Sequence, residues 1–143
     1  MPNTYLDGLA LSAGGHIGIN KLPAEARDFL AHAILMDAGI VFSTVADTVA
    51  SADIHFVNSA ALALTKYANL AAYAAAVVLA GFVHTDDLPV VEDHLKHKAS
   101  TTYDARIKRG DNGQYKKCRI QGLTFAVVGL DLPLRITILR DAP

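Results

Sequence analysis

Residues 103–120, Tyr103-Asp104-Ala105-Arg106-Ile107-Lys108-Arg109-Gly110-Asp111-Asn112-Gly113-Gln114-Tyr115-Lys116-Lys117-Cys118-Arg119-Ile120, decide the fold. Tyr103, Ala105 and Ile107 alternate with Asp104, Arg106 and Lys108, which gives a strand one apolar and one polar face. Asp111-Asn112-Gly113 tolerates positive φ and predicts a tight hairpin connection, with Gly113 at the turn. On the returning strand, Cys118 and Ile120 alternate with Lys117, Arg119 and Gln121. The apolar phase then slips at Gly122, because Leu123, Phe125 and Val127 have the opposite parity, so a bulge or bend is expected there. Gly129 to Pro133 reads as a turn, and Leu134, Ile136 and Ile138 form one face of a last strand ending near Arg140-Asp141. Strands joined this closely are antiparallel.

Towards the N-terminus the spacing becomes helical. Leu88, Val91 and Leu95 share one face of a helix that runs to about Ala99, with Glu92 and Lys96 paired on its exposed side. Asp86 and Asp87 stand at its start, where carboxylates cap free N–H groups and complement the helix dipole. Ala68 to Ala80 offers alanine and helix propensity, read as short helical turns. A helix over 59–66, with Leu62 inward, follows Asn58, whose short side chain suits an N-cap joining strand to helix. Ile54-His55-Phe56-Val57 and Ile40 to Val45 read as strands separated by a loop over 46–53. Asp37-Ala38-Gly39 breaks a helix predicted over 23–36. The order makes an α+β domain in which the first hairpin and the last three strands build one five-stranded sheet under the helices.

The 143 residues fit one domain, with 52% hydrophobic and 19% charged side chains. A net charge of −1 gives no general pull towards nucleic acid. Mean hydropathy is high at +0.27, but the richest apolar run, Ala71 to Val83, is too short for a membrane span. The single Cys118 excludes an internal disulfide framework and any zinc site built on several cysteines. Residues 1–22 carry no secretory pattern and read as a tether with Gly14-Gly15 and a short helix. These features point to the cytoplasm.

Five motifs in order resemble the PAS family of sensor domains: Asp37-Ala38-Gly39-Ile40-Val41, Ile54 to Ala61 around Asn58, His84-Thr85-Asp86-Asp87, Arg109 to Gly113, and Ile138-Leu139-Arg140-Asp141. The resemblance runs from about Asp37 to Asp141 and divides the chain into a tether at 1–22, an N-terminal helix at 23–36 and a PAS-like core at 37–143. It implies a five-stranded antiparallel sheet of order 2-1-5-4-3 with helices on one face, a pocket between them, and an N-terminal helix that mediates dimers. It also implies a sensory module without catalysis of its own, feeding an output domain such as a histidine kinase, a cyclic-dinucleotide enzyme or a transcription regulator in a longer parent protein. Thr85 departs from the family's proline, and the alanines of 68–81 replace its bulkier residues.

The candidate ligand-facing residues are Leu62, Tyr103, Ala105, Cys118, Ile120, Ile136 and Ile138, the strand members taken from the apolar parity. The alternative is an ordinary filled core. Tyr103 is the most informative, since a buried hydroxyl needs a partner. The flavin type of the family requires a cysteine before the long helix; Cys118 lies on a late strand, so flavin-cysteinyl photochemistry is not expected. Haem is not expected either, because His94 and His97 fall off the inner helix face. These two histidines could share a metal, but a solvated face is the plainer reading, and no metal or other cofactor is assigned. Phe29, Leu30, Ile34 and Leu35 are the dimer candidates, unless their helix simply caps its own sheet. Two other functions stay open: a small α+β-cone isomerase or hydrolase, which needs a pocket carboxylate where Asp104 and Asp131 lie on a polar face and in a turn, and a ligand-free dimerisation module.

Overall fold

The computed structural model describes residues 8–10, 16–18, 21–44, 47–98, 100–127, 131 and 133–143, the first two segments by their backbone. Gly8–Ala10 (β1) and His16–Gly18 (β2) pair antiparallel, and β1 runs beside β4, introduced below. These segments form a small ribbon, whose strands are too short to show a period; the other residues of 1–20, where the tether's short helix is expected, lie outside the described residues. Ala24–Leu35 (α1) follows, then Gly39–Thr44 (β3), a 3-10 turn at Val49–Ser51 and Asp53–Val57 (β4). Three helices come next: Ser59–Thr65 (α2), Leu70–Val77 (α3) and Leu88–His97 (α4). Tyr103–Lys108 (β5), Tyr115–Phe125 (β6) and Leu134–Asp141 (β7) complete the chain. Gly14-Gly15, Val45, Ala46, Ala99 and Gly129 lie outside the described residues.

The five long strands form one antiparallel sheet of order β4-β3-β7-β6-β5. In chain order of those strands this is 2-1-5-4-3, as the resemblance implies. Gly113 takes φ of 71° in the β5–β6 turn, and Arg109 both donates to and accepts from the far side of it.

Both faces of the sheet are buried. On one face Ala26, Leu30 and Ala33 of α1 pack against Ile40, Phe42, Leu134, Ile136 and Ile138. On the other, α2, α3 and α4 cover Val41, Ala105, Ile107, Cys118, Ile120 and Leu139.

This two-sided cover corrects one expectation. The pairing of β6 with β7 is unbroken from Cys118↔Asp141 to Phe125↔Leu134, so there is no bulge at Gly122. The apolar parity of β6 switches because the cover switches: Cys118 and Ile120 lie under the three later helices, whereas Leu123 and Phe125 lie under α1. The one register shift described is between β3 and β4, where Phe42 faces Phe56 but Ser43 faces Ile54, leaving His55 as the extra residue.

Asn58 fastens the edge hairpin to α2. Its Oδ1 accepts from Ile40 N–H (2.8 Å) and Ala61 N–H (2.9 Å), and its Nδ2 donates to Ala38 O (3.0 Å). The inward residues of α2 are Ala61 and Thr65 rather than Leu62, which is only half-buried. Small side chains are required there, since a Cβ at Gly39 would stand 2.9 Å from Ala61 Cα.

Candidate ligand-binding site

A cavity of about 90 Å³ lies between the sheet and the helices. Its floor is Val41 and Ser43 of β3, Tyr103 and Ile107 of β5, Ile120 of β6, and Arg135, Thr137 and Leu139 of β7. Its roof includes Tyr73 and Val77 of α3 and Val91 and Leu95 of α4, with Phe82 and Val83 between them.

Of the seven candidates, Tyr103 and Ile120 line this cavity. Ala105 and Cys118 belong to the same buried cluster without lining it, and Leu62 packs against that cluster from its rim. Ile136 and Ile138 are corrected: they point to the opposite face, beneath α1. Their neighbours Arg135, Thr137 and Leu139 face the cavity instead. Apolar parity could not distinguish the two faces of β7, because both are covered.

Arg135 is the residue that sequence reasoning missed. Its side chain is only 2% exposed although it carries a guanidinium. Nη1 donates to Thr124 Oγ1 (2.7 Å), and the Tyr103 hydroxyl lies close enough for the two groups to influence each other's pKa. Burial lowers the pKa of Arg135, while Tyr103 acts in the opposite sense. Burial raises that of Tyr103, partly offset by Arg135. The guanidinium rests on the bare backbone of Gly122, where any Cβ would overlap it. The glycine that looked like a bend is therefore a seat.

Asp86 and Asp87 do not cap α4 with their side chains. Asp87 Oδ2 accepts from the backbone N–H (2.7 Å) and Nε (2.9 Å) of Arg106, and Oδ1 accepts from Nη2 (3.1 Å). This clamp ties the start of α4 to β5, and the Arg106 hydrogen bonds hold the Asp87 carboxyl below its ordinary pKa. Asp86 is exposed, and its N–H donates to His84 Nδ1 (3.1 Å). Glu92 turns from the expected Lys96 to the Val49 N–H (3.0 Å).

His94 stacks on Tyr103, with ring centroids 4.0 Å apart, and its ring nitrogens bond to Val90 O (2.9 Å) and Thr101 Oγ1 (3.0 Å). His97 bonds to Asp93 instead. Among the described residues no group of three or more His, Cys, Asp or Glu is placed to hold a metal ion. The cavity is far below the roughly 300 Å³ at which drug-sized pockets begin, so neither flavin nor haem fits it. Cys118 is buried in the sheet, and desolvation raises its thiol pKa to about 11.

The four dimer candidates separate. Leu30 is 2% exposed and belongs to the chain's own core, a correction to its role. Phe29 and Ile34 are half-buried against that core, whereas Leu35 is 84% exposed. Among the described residues no helix is long and apolar enough to cross a membrane.

No protein-family model and no curated protein matches the sequence. Solved structures do match in shape. A light-oxygen-voltage domain studied with a flavin analogue superposes with a TM-score of 0.59 at 15% identity, over 85% of this chain and 89% of that one. The light-oxygen-voltage domain of the blue-light activated histidine kinase of Erythrobacter litoralis gives 0.54 at 10% identity, over 73% and 94%. A PAS domain from a two-component sensor histidine kinase gives 0.52 at 11% identity, over 82% and 99%. With its strand order, its helical cover and these superpositions, the chain has the PAS fold.

Proposed function

We propose that the chain is a sensory domain that binds a small ligand and passes the change to an output domain in a longer protein. The observation that carries this reading is the cavity between sheet and helices, with a buried arginine in its floor. Filling it favours one packing of α3 and α4 over the sheet, and that packing biases the segments flanking the core. The output domain would be of the kinds attached to such sensors, a histidine kinase, a cyclic-dinucleotide enzyme or a transcription regulator. Leu35, exposed at the end of α1, supports a dimer contact there.

The enzyme alternative needs a carboxylate facing the cavity. Among the described residues that line it there is none, and Asp104 is engaged by Arg119 (3.0 and 3.3 Å) on the other side of β5. Native mass spectrometry of the purified chain, with an absorption spectrum, tests the proposal. A small added mass or a ligand-dependent dimer is expected; a bare monomer that turns over ester or ketone substrates would overturn it.

A further inference from the structure

We infer that the cavity binds a short monocarboxylate, with the carboxylate on the Arg135 guanidinium; this rests on the reading of the cavity as a ligand site. Three observations converge. First, the guanidinium is built into the cavity floor: Gly122 leaves it a seat, and Thr124 Oγ1 accepts a hydrogen bond from it. Second, among the described residues lining the cavity, Arg135 is the one charged group. The other polar side chains there are the hydroxyls of Ser43, Tyr73, Tyr103 and Thr137, all able to donate to an oxygen anion. Third, the roof is apolar apart from the Tyr73 hydroxyl, and its aliphatic members Val77, Val83, Val91 and Leu95 suit a short hydrocarbon tail.

The chemistry follows from these parts. A planar guanidinium matches a carboxylate in a two-point contact that a neutral amide cannot reproduce. An anion beside a cation inside apolar walls also gains more than in water. A single cation suits a monoacid better than a diacid. Size limits the acid: a cavity of about 90 Å³, well under the roughly 150 Å³ of one that takes benzene, admits only a short chain.

The test uses the whole chain at constant ionic strength, with sodium propionate, propionamide, hexanoate and xenon as probes. Methyl NMR signals of Ile120 and Leu139 and the thermal midpoint are followed. Propionate is expected to shift both methyls and raise the midpoint, with propionamide at least about tenfold weaker and hexanoate silent. Replacement Arg135→Gln should weaken propionate about 10- to 100-fold, as loss of a charge-assisted hydrogen bond does. If that variant does not fold, the contrast between propionate and propionamide in the natural chain decides alone. Equal binding of acid and amide, or unchanged propionate binding in Arg135→Gln, overturns the inference. Should xenon enter and propionate not, the anion specificity falls while the ligand cavity stands. Should no probe enter, the ligand-binding reading falls with it.

Discussion

Gly122 and Arg135 lie on adjacent strands, and the guanidinium of one occupies the space that any side chain on the other would need. Position 122 therefore resists enlargement. Gly122→Ala should destabilise the fold by about 1–3 kcal/mol, as overpacking of a filled core does. Urea unfolding measures this. In a double-mutant cycle with Arg135→Ala most of the penalty should disappear, whereas strict additivity would show that the contact carries no energy.

Asn58 holds three backbone groups on three segments at once. Asn58→Ala leaves the N–H groups of Ile40 and Ala61 without that oxygen and should cost about 2–3 kcal/mol. Asn58→Asp keeps the acceptor and loses the donor to Ala38 O, so it should fall between. Denaturation midpoints that place both variants within error of the natural chain would contradict the staple.

Asp87 ties stability to pH. Its folded pKa is depressed, chiefly by the Arg106 hydrogen bonds, so the unfolded chain takes up the proton first as pH falls. Its contribution is complete above about pH 5 and is lost progressively as pH drops through the unfolded and then the folded value. Asp87→Asn should thus be less stable than the natural chain by a constant amount near neutrality. The gap should close in acid, as read from urea unfolding at a series of pH values; a gap that widened in acid would reverse the sign.

Leu30 and Leu35 are close on α1 but should respond oppositely. Leu30→Ala removes a core side chain and should cost about 2–5 kcal/mol. Leu35→Glu should leave stability within about 0.5 kcal/mol and reduce self-association instead. Sedimentation and thermal unfolding of the two variants separate these effects. If Leu35→Glu unfolds the chain, the leucine has an intramolecular role.

Cys118 is the chain's only cysteine, and burial raises its thiol pKa to about 11. At neutral pH it should resist thiol reagents, with labelling that follows global unfolding. Labelling of native protein at the rate of a free cysteine would mean that β6 opens locally.

The strands were legible where one face was wet. In β5, Asp104 and Arg106 sit on the polar side, so the period announced which residues pointed inward. The Gly113 hairpin and the Asn58 cap were legible because their chemistry is local. β7 was not, since Leu134, Ile136 and Ile138 meet α1 while Leu139 meets the other cover. Parity then assigned Ile136 and Ile138 to the cavity and hid Arg135. The inward face of α2 was missed for another reason. Clearance over Gly39 rather than hydrophobicity selects Ala61. Asp87 looked like a cap because its partner, Arg106, is distant in sequence.

The alternation along β7 makes this strand a partition one residue thick. Arg135 and Thr137 form part of the wall on one side, and Ile136, between them, forms part of the wall on the other. A ligand that tilts the strand about its own axis therefore moves the floor under α1 in the same motion, through covalent geometry alone. No relay of side chains around the sheet edge is needed. Substitutions at Ile136 or Ile138 can accordingly retune a cavity that neither side chain touches.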